Sequence, residues 1–509
     1  MARKATNGKP RRAGADAVDS TGSDGGSQAP HETLYEHLAA DIAASIESGT
    51  LRPGDRLPSV RSLTATRGVS PATVFEAYYL LEARGLVRAR PRSGYYVAAE
   101  PTYRSAEPVE MSTPDSAPRE VRISDIIYET LQATASRHVV PLGSAFPSPA
   151  LFPWQQLART LAQAVTKLDP WATVESLTPG HEGLRRQIAM RYLVDGVRAD
   201  IGEIIVTNGA MEALNLALAA VSKPGDAVVV EAPCFYACLQ AIERLGLRAI
   251  EVPTCPRTGI ELDALEQAIV THKPAALWLM TNFQNPLTSS MPLEKKRDLV
   301  ALLHKHRLPM IEDDAYHELF ASEGRPPSTK MFDDEGWVLH CSSFSKTLAP
   351  GFRVGWVSAG RFTKEVAQQK LAASLATSVP VQAALATYLS RGHYERHLRA
   401  LRARLRSLRD QYAELIAASF PAGTRISRPA GGYFLWIEMP AGVDALLLGR
   451  EAMAAGISLA PGPLFSASRG FANCVRINCG HPLTDEIANA VRHVGALAAR
   501  HVASVTSAG

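Results

Sequence analysis

Two short stretches of the chain combine reactive side chains at a fixed spacing. Ser342-Ser343-Phe344-Ser345-Lys346-Thr347 sets a lysine among small hydroxyl residues, and Arg353 follows seven residues later within Pro350-Gly351-Phe352-Arg353-Val354-Gly355-Trp356. A neutral lysine amine condenses with a carbonyl to give a Schiff base. Hydroxyls suit phosphate oxygens, and arginine can grip two of them at once with its planar fork. Thr207-Asn208-Gly209-Ala210-Met211-Glu212-Ala213-Leu214 reads as a strand-to-helix turn. Gly209 allows close approach of the backbone there, and the amides of Gly209 and Ala210 at a helix N-terminus can receive an anion. Glu312-Asp313-Asp314-Ala315-Tyr316 and Asn282-Phe283-Gln284-Asn285-Pro286-Leu287 each follow an apolar run. Cys474-Val475-Arg476-Ile477-Asn478 buries an arginine with no carboxylate close by in sequence, which marks it as facing a ligand.

The elements that must position these groups follow from periodicity. Residues 227–231, 275–280 and 308–312 are short apolar runs of the buried-strand kind. From about residue 136 such runs alternate with helical stretches and Gly/Pro turns, which predicts an α/β domain around a mostly parallel sheet with crossover helices. Residues 31–99 have a different pattern. Leu34, Leu38, Ile42 and Ile46 give a helix with one apolar stripe, ending at Ser48-Gly49. A second helix follows Pro58-Ser59, with Val60, Leu63 and Ala65 as its inward residues. Ser70 can cap a third, whose first position suits Pro71. Leu86 to Arg90 and Tyr95 to Val97 then pair as a hairpin about Pro91-Arg92-Ser93-Gly94. Three helices and a hairpin is the order of an α+β winged helix-turn-helix.

The chain of 509 residues is too long for one ordinary domain, and 46% hydrophobic with 20% charged residues suffices for large cores. We expect a disordered tail over 1–30, the small domain over 31–99, a Pro- and Ser-containing linker over 100–135 with a helix near Ile123 to Leu131, and the large domain over 136–509. Lys9, Arg11 and Arg12 read as part of a solvated tail. A net charge of +4 neither demands nor excludes a polyanionic partner. Six cysteines form no Cys-x-x-Cys pair and no zinc-finger spacing, so free thiols and no metal are expected. With no secretory signal and no apolar run long enough to span a bilayer, the expectation is a cytoplasmic protein.

Residues 34–97 resemble the GntR family of winged helix regulators. The matching words are Gly49 to Ser59, Arg61, Val69-Ser70-Pro71-Ala72-Thr73-Val74, Ala77-Tyr78, Leu81-Glu82, Gly85-Leu86 and Arg92-Ser93-Gly94-Tyr95-Tyr96-Val97. The resemblance implies double-stranded DNA as partner. Ser70, Ala72 and Thr73 would face base edges at the start of the recognition helix. Arg61 would reach base or phosphate, and Arg92, Ser93 and Gly94 at the hairpin tip, flanked by Arg88 and Arg90, would reach the minor groove or backbone. Related regulators often carry arginine where this chain has Pro71, which cannot donate a hydrogen bond, so the sequence readout does not carry over.

Most of residues 140–500 resemble the fold-type I aminotransferases, which hold pyridoxal phosphate (PLP). The resemblance implies that Lys346 forms the internal Schiff base and is the catalytic lysine. Ser343, Ser345, Arg353, Gly209 and Ala210 would hold the phosphate, and Asp313 would meet the ring nitrogen and keep it protonated. Tyr316 and Asn285 would meet the 3′-oxygen, Phe235 would stack on the ring, and Arg476 would hold a substrate carboxylate. Gly143 and Phe146-Pro147 resemble the segment that closes over substrate. The family's tyrosine before Gly180 is missing: residues 175–179 are Glu-Ser-Leu-Thr-Pro, and neither Ser176 nor Thr178 is assigned its role.

The two parts together resemble the MocR subfamily of regulators. This implies a homodimer in which the PLP domain senses PLP, an amine or an amino acid through Lys346 and alters DNA binding. The alternative is a working aminotransferase carrying a DNA-binding head, since every catalytic residue that can be checked is present.

Overall fold

A computed structural model describes residues 34–83, 86–90, 94–97, 105–125, 127–128, 138–175, 177–321 and 324–506. The expected tail over 1–30, and with it Lys9, Arg11 and Arg12, lies outside these residues, as do Arg92, Ser93 and Ser176.

The small domain opens with three helices, α1 (Leu34–Glu47), α2 (Val60–Arg67) and α3 (Pro71–Ala83). Local chemistry sets their ends. Ser59 Oγ accepts from the Ser62 amide to start α2, and Gly68 ends it in the left-handed conformation at φ 67°. Ser70 Oγ accepts from the Thr73 amide at 3.1 Å to start α3. The strands β1 (Val87–Arg90) and β2 (Gly94–Val97) pair antiparallel, and Arg56 bridges to Tyr96 as a third edge. Leu38, Ile42, Val74, Ala77, Tyr78, Leu81, Val87 and Val97 form the core. Ala65 is exposed rather than inward: α2 buries no residue fully and leans on this core only through Val60 and Leu63.

The large domain has two lobes. In the first, nine strands form one sheet. They are β3 (Arg119–Glu120), β4 (Ile204–Thr207), β5 (Ala227–Ala232), β6 (Arg248–Cys255), β7 (Gly259–Ile260), β8 (Ala276–Leu279), β9 (Met310–Asp313), β10 (Val338–Ser343) and β11 (Gly355–Ser358). The order is β3-β6-β5-β8-β9-β10-β11-β4, with β7 paired to β6. The central run from β6 through β5, β8 and β9 to β10 is parallel, whereas β11 runs against both its neighbours. Helices cover both faces, so every residue of β5, β8, β9 and β10 is buried. This is why β5 and β8 read as apolar runs instead of alternating, whereas β9 and β10 end in buried polar residues, Glu312 and Asp313 on one and Ser342 and Ser343 on the other. The second lobe is an antiparallel sheet in the order β12 (Arg425–Ile426), β13 (Phe434–Glu438), β15 (Cys474–Asn478), β14 (Ala460–Pro461). It packs on the helices His393–Ser419, Ala445–Ala454 and Asp485–Thr506 through Ile416, Leu435, Ile437, Leu448, Val475 and Val491.

Over its described residues the stretch expected as a linker packs on the large domain. Arg119 and Glu120 extend the sheet edge beside Ala249 and Arg248, and Val121, Ile123 and Ile127 enter the core. Glu243 receives the amides of Ile123 and Ser124 at 2.9 Å each. The Ile127 amide bonds to Ile123 O, and the remainder of the helix expected towards Leu131 falls mostly outside the described residues. Among the described residues no helix is long and apolar enough to cross a membrane, and no cluster of His, Cys, Asp and Glu could hold a metal ion. The six cysteines are free thiols.

Candidate functional site

The parallel strands end at one edge of the sheet, where open α/β folds bind ligands. A cavity of about 230 Å³ lies there, lined by Ala210, Phe235, Asp313, Tyr316, Ser343, Ser345, Lys346 and Arg353, with Ala145, Phe146, Met211 and Tyr236 among its other walls. Nine residues singled out from sequence, Phe146 included, therefore meet in one cavity, although they span more than 200 positions of the chain.

One part of it is a cradle suited to an anion. Gly209 caps the helix Ala210–Val221 at φ 85°, and a Cβ added to it would stand 2.4 Å from Arg353 Nη2. Arg353 donates to Ser345 Oγ at 3.1 Å and to Asn208 O at 3.4 Å. Two hydroxyls, a guanidinium and the helix N-terminus at Ala210 thus converge where only glycine fits, while the Gly209 amide itself donates to Thr207 O at 2.9 Å.

Lys346 lies above this cradle. Its Nζ donates to Ala145 O at 2.7 Å and sits 3.6 Å from the centre of the Phe146 ring. Burial, with Arg476 and Arg353 nearby, brings the amine from 10.5 down to about 7, so much of it is neutral and nucleophilic near neutrality. Asp313, at the end of β9, lines the same cavity, where burial and the charge of Asp314 lift it to about 7. Its neighbour points elsewhere: Asp314 takes His340 Nε2 at 3.1 Å and lies 3.4 Å from His317 Nδ1.

Arg476, Asn285 and Gly143 form a second group beside the cavity. Arg476 is fully buried; Nη1 donates to Asn285 Oδ1 at 2.9 Å, and Nη2 donates to Gly143 O at 2.6 Å and Ser144 O at 3.2 Å. Gly143 is packed so closely on Leu459 that a Cβ would meet its carbonyl carbon at 2.4 Å. The segment 143–146 thus stands between Arg476 and the cavity, with its carbonyls on the guanidinium and on Lys346. Asp313 Oδ1, Asn285 Nδ2 and Arg476 Nε are buried with no partner. A buried carboxylate oxygen at the cavity, and a buried amide and guanidinium N–H left open beside it, are costly unless a polar ligand takes them up. A ring nitrogen, a phenolic oxygen and a carboxylate are groups of the kind they lack, so the residues present fit PLP with an amino acid on it.

Sequence reasoning missed the support behind these groups. His340 on β10 joins Asp314 to Tyr192 OH at 2.7 Å, and Trp356 Nε1 donates to the same hydroxyl at 2.9 Å. Lys296 is buried and donates to Asn282 Oδ1. Tyr433 donates to Ala145 O at 2.9 Å beside Lys346. None belongs to a motif of fixed spacing, and Lys296 is hidden within the charged stretch Glu294 to Asp298, so only distances in the folded chain reveal them. Thr178, next to the missing family tyrosine, donates to Leu375 O.

In the small domain Arg61, Ser70 and Ala72 are exposed, and Thr73 is half-buried with its hydroxyl 2.8 Å from Ser70 Oγ. Gly94 opens β2 at φ 102°. Ser70, Ala72 and Thr73 cluster at the start of α3, with Arg61 on the preceding helix.

Residues 161–494 match the family model described as aminotransferase class I and II, and residues 34–97 match that of bacterial regulatory proteins, gntR family. The chain is 44% identical to the HTH-type transcriptional regulator YdcR of Escherichia coli (strain K12), covering 91% of this chain and 98% of that one. It is 32% identical to a 2-aminoadipate transaminase of Thermus thermophilus, covering 72% and 92%. Among solved structures it resembles LysN, the α-aminoadipate aminotransferase of Thermus thermophilus complexed with N-(5′-phosphopyridoxyl)-L-leucine, with a TM-score of 0.66 and 29% identity over 75% of this chain and all of that one. The open acceptors and donors fit PLP, the head matches a DNA-binding family, and both halves recur together in a regulator along nearly the whole length: the chain belongs to the MocR subfamily of GntR-type transcription regulators, DNA-binding proteins that carry a PLP-binding fold-type I aminotransferase domain.

Proposed function

We propose that this PLP-dependent, DNA-binding regulator senses PLP itself, or an amine or amino acid, at Lys346, and passes the occupancy of that site to its winged head. The carrying observation is the pairing of a buried amine poised near neutrality with an unpartnered carboxylate oxygen across one cavity. PLP supplies an aldehyde that condenses with amines and a ring that draws off electrons. The chain's residues do the rest. Arg353, Ser343, Ser345 and the helix N-terminus at Ala210 would hold the phosphate, joined by the Gly209 amide if it let go of Thr207 O; Asp313 Oδ1 would meet the ring nitrogen, Asn285 and Tyr316 the 3′-oxygen, and Phe235 the ring face. Arg476 binds an effector carboxylate after releasing Gly143 and Ser144, so effector entry requires the 143–146 segment to move. Ser70, Ala72, Thr73 and Arg61, with Arg92, Ser93 and Gly94 at the wing, contact operator DNA.

The functional unit is a cytoplasmic homodimer in this reading. Trp171 and Val174, 69% and 61% exposed, sit with Leu177 just ahead of Gly180 and suit burial against a second copy. A binding screen on the DNA upstream of the protein's own coding sequence, with and without PLP and amino acids, tests the proposal. Operator affinity indifferent to every one of them would refute it. The complete set of Lys346, Asp313 and Arg476 also keeps the transaminase reading alive. Steady-state turnover of amino acids with 2-oxoglutarate separates the two, since a sensor needs binding without sustained exchange.

A further inference from the structure

Residues 105–114 run as a strap across both lobes, and one carboxylate ties it to each. Glu107 Oε2 takes Arg257 Nε at 2.9 Å, and Glu107 Oε1 lies 3.1 Å from Arg428 Nε. Arg257 belongs to the turn between β6 and β7 of the first lobe; Arg428 follows β12 of the second. Backbone bonds repeat the division. Ser112 N–H donates to Thr254 O at 3.3 Å and Thr254 N–H to Ser112 Oγ at 2.9 Å, on the first lobe. Ile426 N–H donates to Ala106 O at 2.9 Å and Arg428 Nη2 to Ser105 O at 3.1 Å, on the second. Glu110, by contrast, meets Arg425 of the second lobe alone, at 3.3 Å. A cavity of about 370 Å³ under residues 108–114 leaves the strap room to shift.

We infer that Glu107 is an inter-lobe clasp through which the strap, and the winged head attached to it, reads the relative placement of the two lobes; the inference rests on the proposed ligand site. The ligand groups are themselves divided, with Lys346, Asp313 and Arg353 on the first lobe and Arg476 on β15 of the second. A ligand held by both sets must bias how the lobes sit. A packed route joins them to the clasp: Arg476 bonds Asn285, the same loop reaches Thr288, whose Oγ1 donates to Ser427 Oγ at 3.1 Å, and Ser427 adjoins Arg428. A lobe shift must stretch or relax the paired Arg257 and Arg428 contacts, because a single carboxylate serves both. Eight peptide units separate Val97 at the end of β2 from Ser105, so the end of the head lies within about 29 Å of the start of the strap.

The test uses the full-length chain, stripped of PLP and then loaded with N-(5′-phosphopyridoxyl)-L-alanine, which fills the phosphate and carboxylate positions without turnover. Adduct affinity is read by tryptophan fluorescence and strap opening by amide hydrogen exchange over residues 105–115. The adduct should change strap exchange by about fivefold or more in the unaltered chain. Glu107→Gln should bind it within about twofold, which also shows that the variant folds, yet lose that change. Glu110→Gln should keep it. Full retention in Glu107→Gln, or no strap response in the unaltered chain despite binding, overturns the clasp. An unaltered chain that fails to bind the adduct overturns the ligand site first and the clasp with it.

Discussion

Replacing Arg476 by lysine keeps the charge on β15 and removes the fork. The guanidinium is fully buried, Nη1 is committed to Asn285 at 2.9 Å, and Nε is unpartnered. Nε and Nη2 are therefore the donors open to a carboxylate once Gly143 and Ser144 withdraw. A lysine ammonium offers a point charge on a shorter reach and loses at least one charge-assisted bond, about 1.5–3 kcal/mol. That amounts to roughly 10- to 150-fold in affinity. Calorimetry on the PLP-free chain with two probes isolates the effect: N-(5′-phosphopyridoxyl)-L-alanine, and the ethylamine adduct that lacks the carboxylate. The first should weaken by that factor in Arg476→Lys and the second by less than about threefold. Equal losses for both would mean that Arg476 only shapes the cavity. No loss for either would remove it from the site.

Three further outcomes follow from other parts of the structure. Because burial and two arginines bring the Lys346 amine to about 7, PLP uptake by the stripped chain should accelerate as pH rises through about 7 and level off above it, followed by visible absorbance; a midpoint near the ordinary lysine value of 10.5 would contradict this. Burial opposes charge on Asp314 and His317, but each is overruled by its partners: His317 and His340 hold Asp314 below the ordinary carboxylate range, and Asp314, Asp195 and Glu318 lift His317 well above the ordinary imidazole value. The aspartate's contribution to stability is present above its ordinary 3.8 and lost as pH falls below it, while that of His317 is present below 6.5 and lost as pH rises above it into the alkaline range. Thermal melts should thus peak between those windows, and the alkaline fall should shrink in His317→Gln. Ser70→Ala removes the cap on the Thr73 amide and should cost the head about 1 kcal/mol in a denaturant melt, with the PLP domain unaffected.

Much of the site was legible because its groups are short-range words. The seven-residue step from Lys346 to Arg353, and the glycine turn at Gly209, keep their meaning wherever the fold carries them. Choosing Asp313 over Asp314 rested on resemblance to a family pattern, and the two side chains do have different surroundings, one open to the cavity and one enclosed by His340, His317 and Asn282. The enclosing network was not legible, since Tyr192, Asp314, His340 and Trp356 come together only when β9, β10 and β11 align beside the helix Glu182–Val194. The strap and β3 were hidden for another reason. Residues 105–120 hold their place by ion pairs and backbone bonds to distant loops, and such contacts leave no apolar period in the sequence. The plugging of Arg476 by Gly143 and Ser144 likewise depends on main-chain carbonyls, which every residue has.

The most direct test of the account is the affinity of the full-length chain for its own upstream DNA, measured by fluorescence anisotropy with and without PLP, in parallel with Lys346→Ala. Coupling of about 1–3 kcal/mol predicts that PLP shifts the affinity of the unaltered chain by roughly 5- to 150-fold. In Lys346→Ala the shift should vanish while DNA binding without PLP stays the same. A variant that still responds to PLP as strongly as the unaltered chain would contradict the claim that Lys346 is where the signal begins.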